Sequence, residues 1–379
     1  MPLIEDTIAR IVPADADLHA AAQRHLDSQT KPQGSLGRLE ELAARLVAMT
    51  RRDPPVVADR RLFVFSADHG VVAEGVSAYP AEVTPQMTLN FLAGGAAVNA
   101  LANHVGVSVT VVDIGVDYDF AKRGSGVVSE GEATATTPTQ SPETTPDPLF
   151  ARLAHRKVAH GTANMARGPA MTAEQARQSI ETGIDLAAAA IDDGADILAI
   201  GEMGIGNTTA ATAVLAALTG LDPEGITGRG TGIDDERLAH KTAVIRRALE
   251  INRPDADDAL DVLAKVGGFE IGGMAGVVLA AAAGRRPVVA DGFISSAGAL
   301  VALRLCPTAA DYLICSHRSV EPGHAAMLEA LGGDPLLDLG MRLGEGTGAC
   351  LAIDLVAAAV RCYTDMATFD SAGVARKSE

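Results

Sequence analysis

The sequence predicts an α/β fold, a parallel sheet flanked by helices. Three observations carry that prediction. Five short apolar runs read as strands, long apolar helical stretches separate most of them, and each run ends in a polar or glycine-rich loop.

The strand candidates are Leu62–Ser66, Val107–Asp113, Asp196–Ile200, Pro287–Ala290 and Tyr312–Cys315. They are continuous apolar runs, the pattern of strands covered on both faces. Helices are predicted over Glu82–His104, Ala173–Asp192, Asn207–Leu218, Asp235–Ile251, Gly273–Ala283 and Ser295–Leu305, and another runs to about Tyr363. The strands end in Ser66-Ala-Asp-His-Gly70, Asp113-Ile-Gly115, Gly201-Glu-Met-Gly-Ile-Gly206, Asp291-Gly292 and Ser316-His-Arg-Ser319. In an open α/β sheet, ligands sit outside the carboxyl ends of the strands, so these loops are expected to share one rim.

Composition narrows the function. The chain has 379 residues, 47% apolar, only 3% aromatic and without Trp, so its core must use small and branched aliphatics. That length suits one large domain, or one large and one small. A formal charge of −17 argues against a duplex-binding surface, which needs clustered Lys and Arg. An anionic small ligand held by local amides and a few cations stays compatible. The four cysteines form no C-x-x-C pair, which removes support for zinc-ribbon or thioredoxin chemistry. The mixed, acidic first residues carry no signal pattern, and the alanine-rich apolar runs are too interrupted to span a membrane. A cytoplasmic protein with reduced thiols is expected. Residues 124–148 are rich in Thr, Pro and Ser and are expected to form a mobile surface excursion. The tail after about Ala367 is expected to be loose.

The candidate chemistry begins at Leu343-Gly-Glu-Gly-Thr-Gly-Ala-Cys350, where Glu345 sits in a glycine loop at a helix mouth. Glycines permit close approach, open amides there favour an anion, and a carboxylate among amides and apolar walls suits proton acceptance from a small ring. The loop Gly201–Thr209 holds Gly204-x-Gly206 but lacks the third glycine of a dinucleotide fingerprint, and no Walker sequence occurs. Glu202 fits two roles evenly: stabilising positive charge on a sugar carbon, or bonding local amides. The glycine loop Gly228-Arg-Gly-Thr-Gly232 coincides with Lys241 two turns into the next helix, which favours a phosphate site. Ser77 and Tyr79 lie in a polar loop. Tyr79 can lie against a flat heterocycle or simply pack at a corner, and Gln86 can bond a ring atom. Asp68-His69 invites a metal, but no second His stands at suitable spacing. Asp113 fits a ribose-binding acid or a structural cap equally. Gly292 follows an Asp at a strand end, and Ser319 reads as a phosphate contact, since no Gly-x-Ser-x-Gly elbow is present.

Taken together, Thr30-Lys-Pro-Gln-Gly-Ser-Leu-Gly-Arg-Leu-Glu40, Asp68-His-Gly70 through Gln86, Gly201–Thr209, Gly228–Lys241, Asp291-Gly292, Ser316–Ser319 and Leu343–Gly348 resemble the nicotinate-nucleotide:dimethylbenzimidazole phosphoribosyltransferase family over nearly the whole chain. The resemblance implies a Rossmann-like large domain over 56–335, with a small helical domain built from 1–55 and 336–379, and a homodimer. It implies transfer of phosphoribose from nicotinate mononucleotide to dimethylbenzimidazole, with no cofactor and no metal. Glu345 matches the family's catalytic base, and Glu202, Gly204, Lys241 and Ser319 match ligand-contacting positions. Gln86 falls in the base-binding segment. Residues 124–148 depart from the family pattern by their length. A binding protein that releases no nicotinate, and a pentosyltransferase with another acceptor, are the competing readings.

Overall fold

The computed structural model describes residues 2–120, 153–230 and 232–375. The excursion expected at 124–148 lies outside the described residues. Six strands form one sheet: β1 Arg60–Ala67, β2 Ser108–Gly115, β3 Leu153–His155, β4 Ile197–Met203, β5 Val288–Ala290 and β6 Leu313–Cys315. Their order is β3-β2-β1-β4-β5-β6, and every pairing is parallel. This is the doubly wound arrangement whose strand order reverses between β1 and β4. At that point successive crossovers leave in opposite directions, and a crevice opens between the strand ends. β3 escapes sequence reading because Leu-Ala-His offers neither β-branched residues nor a run. It is held by register, His155 against Asp113.

The shortage of aromatics shows its use in the helices behind the sheet. Helix Phe269–Ala283 is buried along nearly its whole length and packs on helix Ala173–Asp192. A Cβ at Gly183 would lie 1.9 Å from the Gly273 carbonyl oxygen, and one at Gly276 would lie 2.0 Å from that of Ile180. Glycine is required there because backbone meets backbone.

The helix expected over Glu82–His104 is two helices, Val83–Ala93 and Ala97–Val105. Gly94 takes φ +79 and the Gly95 N–H returns to the Asn90 carbonyl, which closes the first helix. The restart aims a new helix N-terminus at the cavity described below. Helices Ala259–Val266 and Pro322–Leu331 were not anticipated.

The chain ends meet. Gln29 Nε2 donates to the carbonyls of Cys362 and Tyr363, and the Tyr363 hydroxyl donates to Asp53. The described part of the tail, to residue 375, is better ordered than expected: the Thr30 N–H donates to the Ala367 carbonyl, and Phe369–Ala372 forms a capped helical turn. One helix among the described residues, Thr347–Asp365, is long and apolar enough to cross a membrane. Half of it is buried in the fold, against helices Arg38–Thr50 and Ala97–Val105.

Candidate active site

A cavity of ≈ 670 Å³ opens at the carboxyl end of the sheet. Its walls come from the loops after β1, β4, β5 and β6 and from the glycine loop before helix Thr347–Asp365. Ser77, Tyr79, Glu202 and Gly204 line it, as do Lys241, Gly292, Ser319 and Glu345. Gln86 does not. Val83 and Met87 line the cavity, and Gln86 lies on the exposed face of their helix. Helical periodicity turns it out of the ring-binding wall expected from sequence.

Three helices begin at this cavity, and each has a glycine N-cap with no side-chain cap of its own: Gly206, Gly292 and Gly346. Uncapped helix starts favour anions. At Gly346 the anion is built in. Asp291, at the end of β5, accepts the Gly346 N–H on Oδ2 and the Ala349 N–H on Oδ1, both at 3.0 Å. Burial pushes its carboxyl up to about 7, even with these amides and that of Gly348 pulling the other way. Sequence reading singled out only its neighbour Gly292. A cap supplied from 55 residues away leaves no local signal.

Glu345 is held in a strained turn. Its φ is +65, between Gly344 at +84 and Gly346 at +95. For a residue with a Cβ this left-handed conformation costs about 1–2 kcal/mol, and it often marks a functional turn. The loop is pressed on β4, where a Cβ at Gly201 would lie 2.5 Å from the Glu345 carbonyl oxygen. Glu345 Oε2 accepts from the Val98 N–H at 3.4 Å. The balancing amide therefore belongs to helix Ala97–Val105, not to the helix Glu345 precedes, whose first amides serve Asp291. Burial raises its carboxyl pKa, and the Val98 amide opposes the rise.

Glu202 is buried beside it. Its Oε2 accepts from the Asn207 side-chain amide, and the Glu345 backbone N–H also donates to its carboxyl. Burial holds Glu202 well above the usual carboxylate range, and Glu270, Asp291 and Glu345 add to the rise. A cationic ligand would favour its ionised form, so the amide bonding seen here is compatible with a charge-stabilising role.

Lys241 lies buried across the site. Its Nζ donates to Thr208 Oγ1 at 2.8 Å and to the Gly228 carbonyl at 3.2 Å. Burial lowers its pKa to about 8, against the pull of Glu321. Gly230 of the glycine loop lines the cavity too. Ser319 is fixed by a neutral histidine. The Ser319 N–H donates to His324 Nδ1 at 2.8 Å, and burial drops His324 to about 3. The proton therefore stays on Nε2, which donates to Ser296 Oγ at 3.2 Å.

Two sequence ambiguities resolve structurally. His69 forms a buried ion pair with Glu270 at 2.9 Å. Asp113 accepts the Val116 N–H and pairs with Lys157, away from the cavity. Thr208, Asn207 and His317 contribute to the lining without having been singled out. Their roles arise from contacts across the cavity.

Comparison with known proteins identifies the family. A family model described as phosphoribosyltransferase matches residues 11–374. The nicotinate-nucleotide–dimethylbenzimidazole phosphoribosyltransferase of Geobacter metallireducens is 53% identical over 99% of this chain and 98% of its own length. The protein of the same name from Chloroflexus aggregans is 54% identical over the full length of both. The crystal structure of that enzyme from Thermus thermophilus superposes with a TM-score of 0.82 at 45% identity, over 96% of this chain and 100% of the other. The chain belongs to the nicotinate-nucleotide–dimethylbenzimidazole phosphoribosyltransferase family and is a phosphoribosyltransferase.

Proposed function

We propose that this enzyme transfers phosphoribose from nicotinate mononucleotide to dimethylbenzimidazole, giving α-ribazole 5′-phosphate and nicotinate for the nucleotide loop of cobalamin. One observation carries the reading. A single cavity holds a strained, buried carboxylate, Glu345, together with a buried cation, Lys241, and two helix starts without side-chain caps. The cation and helix starts suit a phosphate. The apolar wall of Val76, Val83 and Met87 suits a methylated ring.

In the reaction, one benzimidazole nitrogen attacks C1′ of the ribose while the C1′–pyridinium bond breaks. The bonding pair returns to the pyridine nitrogen, so nicotinate leaves with its ring neutral and requires no acid. The attacking ring gains positive charge, its remaining N–H becomes acidic, and Glu345 accepts that proton. Its raised pKa suits this role. C1′ passes through an oxocarbenium-like state. Glu202, ionised by the nearby positive charge, stabilises that state, and attack opposite the leaving group turns a β linkage into α. Lys241, Ser319, Gly204 and Gly292 hold the phosphate end, while Ser77 and Tyr79 flank the ring. Gln86, which does not line the cavity here, would join them on a rearrangement of its side chain or its helix.

We also propose a cytoplasmic homodimer in which residues 1–55 and 336–379 form one helical lobe. The hydrogen bonds joining Gln29 to Cys362 and Tyr363 support the lobe. The exposed apolar side chains Val320 and Leu339 support burial against a second copy. The deciding experiment incubates the protein with nicotinate mononucleotide and a panel of bases, then separates the products. Release of nicotinate with α-ribazole 5′-phosphate is expected. Binding of the mononucleotide without nicotinate release would reject the reading, and turnover only with another base would change the acceptor.

A further inference from the structure

We propose that His317 is a specificity-determining residue for the sugar of the donor: its Nε2 accepts a hydrogen bond from a ribose hydroxyl and so selects ribosyl over deoxyribosyl substrates. The inference rests on the donor being the mononucleotide proposed above, and it assigns a role that the mechanism does not use.

The ring is 1% exposed. Two glycines leave room for it: a Cβ at Gly348 would lie 2.1 Å from Nδ1, and one at Gly292 would lie 3.3 Å from Cε1. Its protonation follows from its partners. Ser316 Oγ donates its one hydrogen to the Asp291 carbonyl. At its 3.0 Å contact with His317 Nδ1 the hydroxyl must therefore accept, which places the ring proton on Nδ1. Asp291 Oδ1, 3.8 Å from the same nitrogen, favours that placement. Nε2 is left as a bare lone pair. It has no hydrogen-bond partner although it is buried, and its side chain lines the cavity. Burial also keeps the ring neutral by lowering its pKa.

A buried acceptor without a donor is unfavourable until something supplies one. Its position narrows the choice. A Cβ at Gly292 would lie 3.7 Å from Nε2 and 4.0 Å from Ser319 Cβ. The lone pair thus lies on the Gly292–Ser319 side of the ring, and Nδ1 lies on the side of Asp291 and Gly348. The part of a mononucleotide between its phosphate and its reacting carbon is the sugar. The chemistry of the donor agrees. At neutral pH its phosphate and carboxylate only accept hydrogen bonds, and its pyridinium nitrogen carries no hydrogen. The ribose hydroxyls are the donors it has to offer.

The test compares nicotinate mononucleotide with its 2′-deoxy and 3′-deoxy analogues. In the unaltered enzyme, removing the contacted hydroxyl should lower kcat/KM by about 10- to 100-fold. His317→Asn, whose amide reaches only the place of Nδ1, should lose a similar factor with the ribosyl donor and no longer distinguish the analogue. His317→Gln, whose amide oxygen reaches the place of Nε2, should recover discrimination. Calorimetric binding of the same donors to the unaltered enzyme reads the comparison even where a variant fails to fold or turnover is absent. Equal handling of all three donors overturns the inference, as does undiminished discrimination in His317→Asn. Failure of the ribosyl donor to release nicotinate with any base would count against the proposed function instead.

Discussion

Lys241 is predicted to be a stability liability kept for binding. Its pKa falls from the ordinary 10.5 to about 8 because the ammonium is buried. At about 1.36 kcal/mol per pH unit, the 2.5-unit difference corresponds to about 3 kcal/mol against holding the charge in the unliganded fold. Met has similar length and no charge, so Lys241→Met removes that cost. It also leaves the Gly228 carbonyl, and the hydroxyl of Thr208, without their amine donor, which returns about 1–2 kcal/mol. A net gain of about 1–2 kcal/mol at pH 7 is expected. The sign with pH follows from linkage. Between about 8 and 10.5 the unfolded chain binds the Lys proton and the folded chain does not, so the unaltered protein gains stability as pH rises through that window. The advantage of the Met variant should therefore be full below pH 8 and shrink toward pH 10.5. Urea melts at pH 7 and pH 10 read this directly, and nicotinate mononucleotide titrations read the accompanying loss of affinity. A Met variant that is less stable at pH 7, with no change in its relative stability between the two pH values, would refute the reasoning. Unchanged donor affinity would show that the phosphate is held by amides alone.

Two further predictions concern the Glu345 loop. Glu345→Gln should lower kcat by about two to four orders of magnitude, the scale of a lost general base, and alter the acid limb of the pH–rate profile. In the unaltered enzyme that limb should lie above the ordinary carboxylate pKa, since burial raises Glu345. Steady-state kinetics across pH checks both, and near-normal turnover would remove Glu345 from the role. Gly201→Ala places a methyl 2.5 Å from the Glu345 carbonyl oxygen and 2.6 Å from the Gly346 nitrogen. It should reduce kcat more than tenfold through displacement of the loop, with a smaller change in donor affinity, because Lys241 and Ser319 lie on other elements. Retained kcat would mean that the loop tolerates the shift.

Much of this protein was legible residue by residue. Five strands and the helices Ala173–Asp192 and Asp235–Asn252 fall close to their expected places, because apolar runs and charged first turns are local signals. The glycine loops also declared themselves, since each lies just before a helix where the chain must turn. The break at Gly94-Gly95 was present in the sequence as two glycines, but the apolar periodicity on either side hid it. The outward position of Gln86 escaped the sequence for a related reason. Its neighbourhood in sequence is right, and only the phase of its helix against the cavity decides that Met87 faces in and Gln86 faces out.

From its amino acids alone the chain determined its sheet, its rim of glycine loops and the side chains available there for acid–base and phosphate chemistry. Each of these depends on short-range propensity, patterning and turn geometry. The folded arrangement decided what those side chains are. It brings Asp291 to the amides of a helix 55 residues on, and Val98 to a carboxylate 247 residues away. It crowds Glu270, Asp291 and Glu345 around Glu202, and strips His317 Nε2 of any partner. Burial and charge–charge energies depend on separation in space, and separation along the chain carries almost none of that information.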